Sequence, residues 1–234
     1  MASLPSLVGA HTILGAQGVS SMHLFTLDDF KVFDISGFNE RMAAILTRIR
    51  PKLTSIGEEL APKVSLLVDC PLYVHVAKHA RRTVNPPDDT WAAFGASPRG
   101  YKKDVHFKVA VSRHCVRFLF EAGPEYYAKS DWAHGWHREF KDLAEGLKGS
   151  KDLASFKDEH DEDPAARLAA LAPADLKKLV DELVRRRDGQ FVLGRRIDAV
   201  EFAGLKPKQV EKIALDTFRP LSPLFQIHEA RMLA

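Results

Sequence analysis

A run of alternating apolar and polar residues near the middle of the chain constrains the fold most strongly. In VHFKVAVSRHCVRFLF (105–120), apolar residues alternate with other residues on both sides of Ser112–His114. The two-residue period and the many valines and phenylalanines are typical of β-strands. We therefore predict a β-hairpin with one apolar face. Its opposite face would carry four polar residues: His106, Lys108, Arg117 and Glu121.

Periodic segments on both sides of the hairpin predict the remaining elements. Helical spacing of apolar residues predicts helices at 38–50, 51–61, 130–149, 173–187 and 207–218, the third with Ser130 or Asp131 as its N-cap. Alternation or short apolar runs predict strands at 72–77, 90–94, 191–197 and 223–227, and DEHDED (158–163) is predicted to be an acidic surface turn. Together these elements predict a single α+β domain, in which amphipathic helices pack on the apolar face of an antiparallel sheet.

Composition and the N-terminal sequence indicate where such a domain would act. Apolar residues make up 45% of the 234 residues, enough to bury a core. The two cysteines fit a reducing cytosol, and no apolar run reaches the roughly 20 residues that span a bilayer. Residues 1–21 lack the basic and long apolar regions of a signal peptide. We interpret 1–21 as a flexible leader or extension and 22–234 as the domain, located in the cytoplasm without a membrane partner.

The segment HVAKHARRTVNPPDDTWAAFGASPRGYKK (75–103) concentrates the positive charge of the chain. It holds six Lys or Arg residues and two Asp residues, a larger positive balance than the +3 of the whole protein. Two prolines after Asn85 stiffen the backbone, so less conformational freedom is lost on binding. Arginine side chains match phosphate or carboxylate groups, and Tyr101 and Trp91 offer rings for stacking. The segment therefore predicts a binding site for an anion.

The two histidines of this segment could suggest a metal site, but their spacing argues against one. His75 and His79 are four residues apart. On a helix they would lie about 6 Å apart and could share an ion. On the strand that the Val74/Val76 alternation favours, they would lie roughly 13 Å apart, too far for one ion. We predict no metal site.

Four stretches of the chain resemble a known family. FTLDDFKVFDISGFNERM, RPKL, YVHVAKHARRTVNPPDDTWAAF and RGYKKDVHF are similar to the YktB-like family of bacterial proteins. The resemblance begins at Met22, runs through the hairpin and continues more loosely to the C-terminus. It implies an α+β fold and makes 75–103 part of the family's signature region. It implies no reaction, so it assigns no catalytic residue.

We hypothesise that the protein binds a phosphate-bearing small ligand, nucleotide-like in character, at a basic surface. The predicted ligand-binding residues are His75, His79, Arg81, Arg82, Asn85, Arg99, Tyr101, Lys102, Lys103 and His106. The sequence has no P-loop, no GxGxxG, no GxSxG and no zinc-ribbon pattern, so it assigns no cofactor.

Three alternatives remain open from the sequence. The same basic residues could bind RNA or single-stranded DNA, with a steep salt dependence. A histidine of this face could form an acid–base pair with Glu121 and make the protein an enzyme. In the structural alternative, Asp88 and Asp89 would pair with Arg81 and Arg82. These pairs would only stabilise the turn around the two prolines, and the segment would bind nothing.

Overall fold

Seven antiparallel strands form one sheet in a computed structural model that describes residues 22–229. The strands are β1 (Tyr73–Val76), β2 (Asp89–Gly95), β3 (His106–Ser112), β4 (Cys115–Ala122), β5 (Ala154–Phe156), β6 (Ala166–Arg167) and β7 (Phe191–Asp198). Their order across the sheet is β1-β2-β3-β4-β7-β5-β6. The β3–β4 hairpin lies at the centre, with Phe107 opposite Phe120, which confirms the predicted hairpin. The short strands β5 and β6 were not predicted.

Eight α-helices accompany the sheet within the described residues. They are α1 (Leu27–Phe30), α2 (Phe38–Ala44), α3 (Arg50–Val68), α4 (Lys129–Lys148), α5 (Pro173–Arg185), α6 (Ala199–Ala203), α7 (Pro207–Phe218) and α8 (Ser222–Glu229). A π-helical turn, Ile45–Ile49, joins α2 to α3. The predicted leader 1–21 and the last residues of the predicted domain, 230–234, lie outside the described part of the chain.

The apolar face of the sheet packs against the helices and forms the core. Phe107 of β3 stacks on Phe225 of α8 with ring centroids 5.6 Å apart, and it lies 4.8 Å from Phe218 of α7. Trp132 of α4 stacks on Phe120 of β4 at 6.2 Å. This packing confirms the predicted α+β fold, with amphipathic helices on one face of an antiparallel sheet.

Three local predictions were wrong. The helix that begins near Pro51 does not end near residue 61 but continues to Val68, because its buried stripe runs on through Val64. That burial outweighs the roughly 3 kcal/mol cost of a proline inside a helix, here Pro62.

Helix α4 begins at Lys129 after Ala128, which provides no side-chain cap, so neither Ser130 nor Asp131 is its N-cap.

The predicted strand at 223–227 is also wrong, because these residues belong to helix α8. Leu224 and Phe225 are adjacent in sequence, yet both are buried against the core. The indole Nε1 of Trp132 donates a hydrogen bond of 2.9 Å to the backbone oxygen of Leu224. A short apolar run fits a buried strand and a buried helix equally well, and tertiary packing decided between them here.

The polar face of the sheet is also buried. Residues 158–163, which we call the acidic strap, cross this face over β3 and β4. Arg117 of β4 donates hydrogen bonds to the backbone oxygens of Glu159, at 2.9 Å, and Asp161, at 2.7 Å. The predicted acidic turn therefore has a surface side and an inner side that covers charged residues of the sheet.

Candidate functional site

A groove of about 1040 Å³ lies at the edge of the sheet beside β1. Strand β1 and the residues after it form one wall, the loop 97–104 forms another, and Arg50 and Thr54 at the start of α3 complete it. Six basic residues line the groove, against two acidic ones: Arg50, Lys78, Arg81, Arg99, Lys102 and Lys103 against Asp104 and Glu125. The groove is therefore an electropositive depression, and such sites attract anions.

The groove brings together six of the residues predicted to bind a ligand. These are His75, Arg81, Arg99, Tyr101, Lys102 and Lys103. The groove also adds Arg50 and Lys78, which were not in the predicted set. Arg50 precedes the basic segment by 25 residues and reaches the groove only because α3 packs against β1. Lys78 lies inside the basic segment, so its positive charge could have identified it from the sequence as a groove residue.

The aspartates of the basic segment do not neutralise its arginines. Asp88 pairs with Arg41 of α2 at 3.1 Å, and Asp89 pairs with Arg117 of β4 at 2.7 Å. Among the side chains of residues 22–227, neither Arg81 nor Arg82 makes an ion pair. The internal pairing that the structural alternative requires is therefore wrong.

Arg41 holds the proline corner, residues 85–87, in place. Its Nε donates to the backbone oxygen of Ile35 at 2.6 Å, and its Nη1 donates to the backbone oxygen of Pro87 at 3.1 Å. Arg41 is 8% exposed, so these bonds are shielded from water. The corner is thus fixed to α2 and positions the loop that carries Arg81.

Tyr101 forms the inner wall of the groove. Its hydroxyl oxygen accepts a hydrogen bond of 2.7 Å from Nε1 of Trp91, and its ring lies 5.6 Å from the ring of His75. Burial raises the pKa of Tyr101 to about 12, so the phenol stays neutral at physiological pH. His75 donates from Nε2 to the backbone oxygen of Ser97 at 2.9 Å, which fixes its ring beside Tyr101.

Three further residues of the predicted set do not line the groove. Arg82 and Asn85 are exposed on the loop between β1 and β2. His79 adopts a left-handed backbone with φ 51°, and its Nε2 hydrogen-bonds Oγ1 of Thr90 at 3.0 Å. Burial lowers the pKa of His79 to about 4, so the ring is neutral at pH 7. The ring lies 5.4 Å from the ring of Trp91 and so holds the loop between β1 and β2 against the sheet.

The last predicted residue, His106, belongs to a buried charge cluster on the polar face of the sheet. In this cluster Lys108, with no exposed surface, bridges Glu121 of β4 and Glu159 of the acidic strap. Lys108 also lies 4.3 Å from the centre of the Trp91 ring. His106 Nε2 lies 3.3 Å from Oε2 of Glu121, so the histidine and the carboxylate of the acid–base hypothesis are neighbours.

The ionisation of this cluster follows from burial and pairing. Burial alone would raise the pKa of Glu121, but the nearby Lys108 ammonium holds it well below its ordinary value. Burial alone would lower the pKa of Lys108, but Glu121 and Glu159 outweigh it and raise the pKa. Both groups are therefore charged at pH 7. In the strap, a hydrogen bond to Asp89 raises the pKa of His160.

The described residues contain neither a metal-ligand cluster nor a membrane-spanning helix. Among the side chains of residues 22–227, no three or more His, Cys, Asp or Glu cluster in a way that could hold a metal ion. In the same range, no helix has both the length and the apolarity needed to cross a membrane.

Fold and site together define an α+β protein with an antiparallel sheet and a cationic groove at the sheet edge. The chain belongs to the family described as Domain of unknown function (DUF1054), which matches residues 25–225. It is similar to a UPF0637 protein of Bacillus mycoides, with 33% identity over 88% of this chain and 98% of the relative. A UPF0637 protein of Oceanobacillus iheyensis is 36% identical over 88% of this chain and 97% of the relative. These matches confirm the resemblance to the YktB-like family.

Proposed function

We propose that this protein binds a phosphate-bearing small molecule, nucleotide-like in size, in the cationic groove. The observation that carries the proposal is a set of unpaired basic residues facing one cavity. Of the six that line it, Lys102 pairs with Glu125 at 3.4 Å. The other five make no ion pair with the described side chains, those of residues 22–227: Arg50, Lys78, Arg81, Arg99 and Lys103.

The size and rigidity of the groove support a small ligand. Its volume of about 1040 Å³ is at the upper end of the range of small-molecule sites, about 300–1,000 Å³. Two arginines offer bidentate donors to phosphate oxygens, whereas lysines act as point charges. The anchored proline corner and the Tyr101–Trp91 hydrogen bond hold two walls in place before a ligand arrives. Binding to such a site loses little conformational entropy.

We further propose that residues 22–234 act as one domain in the cytosol, with 1–21 as an extension. No disulfide joins Cys70 and Cys115, as expected for a reducing compartment.

Binding of inorganic pyrophosphate and of nucleotides, measured by calorimetry and thermal shift, tests the proposal. In Arg81→Ala/Arg99→Ala, we expect the affinity for pyrophosphate to fall by about 10- to 100-fold, because each lost charged hydrogen bond contributes about 1.5–3 kcal/mol before solvent screening. The control is Arg185→Ala/Arg187→Ala, which removes the same charge from the exposed end of α5.

The control separates a site from a general charge effect. Equal losses in the two double variants would contradict a specific groove. A protein that binds neither pyrophosphate nor any nucleotide would contradict the proposal altogether.

The nucleic-acid alternative receives less support from the geometry. It needs open rings on which successive bases stack. Trp91 is only 7% exposed, and it packs against His79 and His160. Tyr101 is partly buried, and its hydroxyl is bonded to Trp91. A ligand of one or two nucleotides suits this arrangement better than a long strand.

A further inference from the structure

We propose that the ligand of the groove carries a hydrogen-bond donor group, an amine or a hydroxyl, that enters a second, smaller pocket beside His106. This inference rests on the proposed function and deepens it, because it names the chemistry of the ligand's other end. The smaller pocket has a volume of about 80 Å³, enough for an ammonium or hydroxyl group and one or two carbons.

The small pocket adjoins the groove. Tyr101, Lys102 and Glu125 line both cavities, so the two share these side chains as a common wall. The Lys102–Glu125 ion pair has both side chains about half exposed, at 51% and 48%. Such an exposed pair contributes little stability and separates at small cost. A ligand seated on the basic residues can therefore extend past this pair into the small pocket.

His106 has a ring nitrogen without a hydrogen-bond partner at the small pocket. Its Nδ1 donates to the backbone oxygen of Asp104 at 3.1 Å. Among the described residues Nε2 has no hydrogen-bond partner, although His106 is only 1% exposed. Oε2 of Glu121 lies 3.3 Å from Nε2 but without hydrogen-bond geometry. An amine or hydroxyl group in the pocket can bond to this nitrogen or to the neighbouring carboxylate.

Carboxylates add further acceptors to the same pocket. Oε2 of Glu121 accepts a hydrogen bond from Lys108 at 3.1 Å, while Oε1 makes none with the side chains of residues 22–227. Glu159 of the acidic strap and Glu125 also line the pocket. A donor group that enters would meet His106 Nε2 and the Glu121 carboxylate together. A hydrogen bond to a charged group is stronger than one between neutral groups.

The two cavities thus have opposite chemical preferences. The groove is lined mainly by cations, and the small pocket is lined mainly by acceptors. A molecule that satisfies both has an anionic phosphate at one end and a donor at the other, joined by a short spacer. This description selects phosphate esters of amino alcohols or of polyols, including sugar phosphates, over simple phosphate.

Matched alkyl phosphates test the inference by calorimetry at pH 7.5. We would compare 2-aminoethyl with ethyl phosphate, 4-aminobutyl with butyl phosphate, and the corresponding hydroxyalkyl phosphates, with pyrophosphate as the probe of the groove alone. We expect the amino or hydroxy ester to bind about tenfold or more tightly than its alkyl partner at one or more spacer lengths.

Two variants locate the donor effect. His106→Phe keeps a ring beside Tyr101, 4.7 Å away, and removes both ring nitrogens. Gly123→Ala places a Cβ 2.7 Å from Oε1 of Glu121 and fills the pocket without removing any charge. In either variant the affinity ratio between the donor ester and its alkyl partner should fall to near one. In Arg99→Ala both esters should weaken, and the ratio should persist.

The outcomes separate this inference from the proposed function. Binding of pyrophosphate and alkyl phosphates with a ratio near one at every spacer length would overturn the donor pocket and leave the groove intact. A ratio that survives in both His106→Phe and Gly123→Ala would overturn the location. No binding of pyrophosphate or of any ester would overturn the proposed function and the inference with it. Circular dichroism shows whether each variant is folded, and Gly123→Ala decides the question if His106→Phe is not.

Discussion

Lys108 shows how its surroundings decide what a charged residue does. The alternation of the hairpin places it opposite the apolar face, where antiparallel sheets commonly meet water. In the structure it has no exposed surface, and its ammonium group lies between Glu121 and Glu159. A buried charge of this kind is tolerated only with partners, so the pairing is a requirement of the fold.

Replacing Lys108 with methionine would leave Glu121 as an uncompensated buried charge. We expect Lys108→Met to lower the free energy of unfolding by about 3–5 kcal/mol, the range for breaking one partner from a buried ion pair. Urea denaturation monitored by circular dichroism measures the change.

The control is Lys212→Met on α7, where Lys212 pairs with Asp216 and its side chain is 76% exposed. That pair should contribute no more than about 0.5 kcal/mol. Similar losses at Lys108 and Lys212 would contradict a buried network on the polar face.

The predicted site residues fall into two groups: exposed basic residues that line the groove, and histidines whose surroundings come from distant parts of the chain. Arg81, Arg99 and Lys103 could be selected because they are basic and close in sequence. His79 and His106 could be selected in the same way, yet neither lines the groove. His79 supports the loop between β1 and β2, and His106 is buried on β3 beside Tyr101. A local sequence pattern does not distinguish these cases, because the groups that enclose each ring come from other strands.

At the scale of elements, periodicity predicted most of the sheet and the helices that cover it. Strand β7 and helices α5 and α7 lie close to their predicted ranges, because each carries a strong alternation or an apolar stripe. Prediction failed at 223–227, where the apolar run is too short to distinguish helix from strand. It also failed for β5 and β6, whose three and two residues are too few to show a period.

The end of β2 positions the loop that forms one wall of the groove. A Cβ on Gly95 would lie 2.8 Å from Cβ and 3.2 Å from Cα of Tyr101, too close to be accommodated without moving the loop backbone. We expect Gly95→Ala to lower the free energy of unfolding by about 1–3 kcal/mol, as overpacking does, and to weaken pyrophosphate binding. Urea denaturation and calorimetry measure the two effects.

Gly100 in the same loop provides the matched control for stability. A Cβ there would meet no heavy atom within 4 Å, and its φ is not positive. Gly100→Ala should therefore change the free energy of unfolding by no more than about 0.5 kcal/mol. Equal effects at the two glycines would show that Tyr101 is not held by close packing on Gly95.

At the scale of the whole molecule, the groove lies where the sheet ends. β1 is the edge strand, and α3 crosses beside it, so Arg50 meets residues that follow β1. The volume of this depression is close to that of a small-molecule site, which is the basis for proposing a compact ligand over a long polymer.

Oligonucleotide length distinguishes a small-ligand site from a nucleic-acid interface. We expect affinity for oligouridylates, measured by fluorescence anisotropy, to level off at two or three nucleotides. At twelve nucleotides it should rise by no more than about tenfold, because a longer strand only offers the site more equivalent positions to bind. A nucleic-acid module would instead gain affinity with each added phosphate. Its log–log salt slope would also steepen by about 0.7 for each contact. Continued growth of affinity and slope with length would therefore favour the nucleic-acid alternative.

The sequence by itself determined the class of fold and the location of the basic residues. Alternation and helical spacing are local properties, so they specify each element and its apolar face before any long-range contact forms. Charge density likewise identified 75–103 as an exceptional segment.

Only the tertiary structure decided which of those residues act together. Residues distant in sequence supply the partners: Arg41 binds Asp88, Arg117 binds Asp89, and Glu159 covers Lys108. These pairs leave Arg81 and Arg99 facing the groove without an ion partner among the side chains of residues 22–227. The physical reason is that an ion pair depends on distance in space, and no periodicity along the chain records which distant groups will meet.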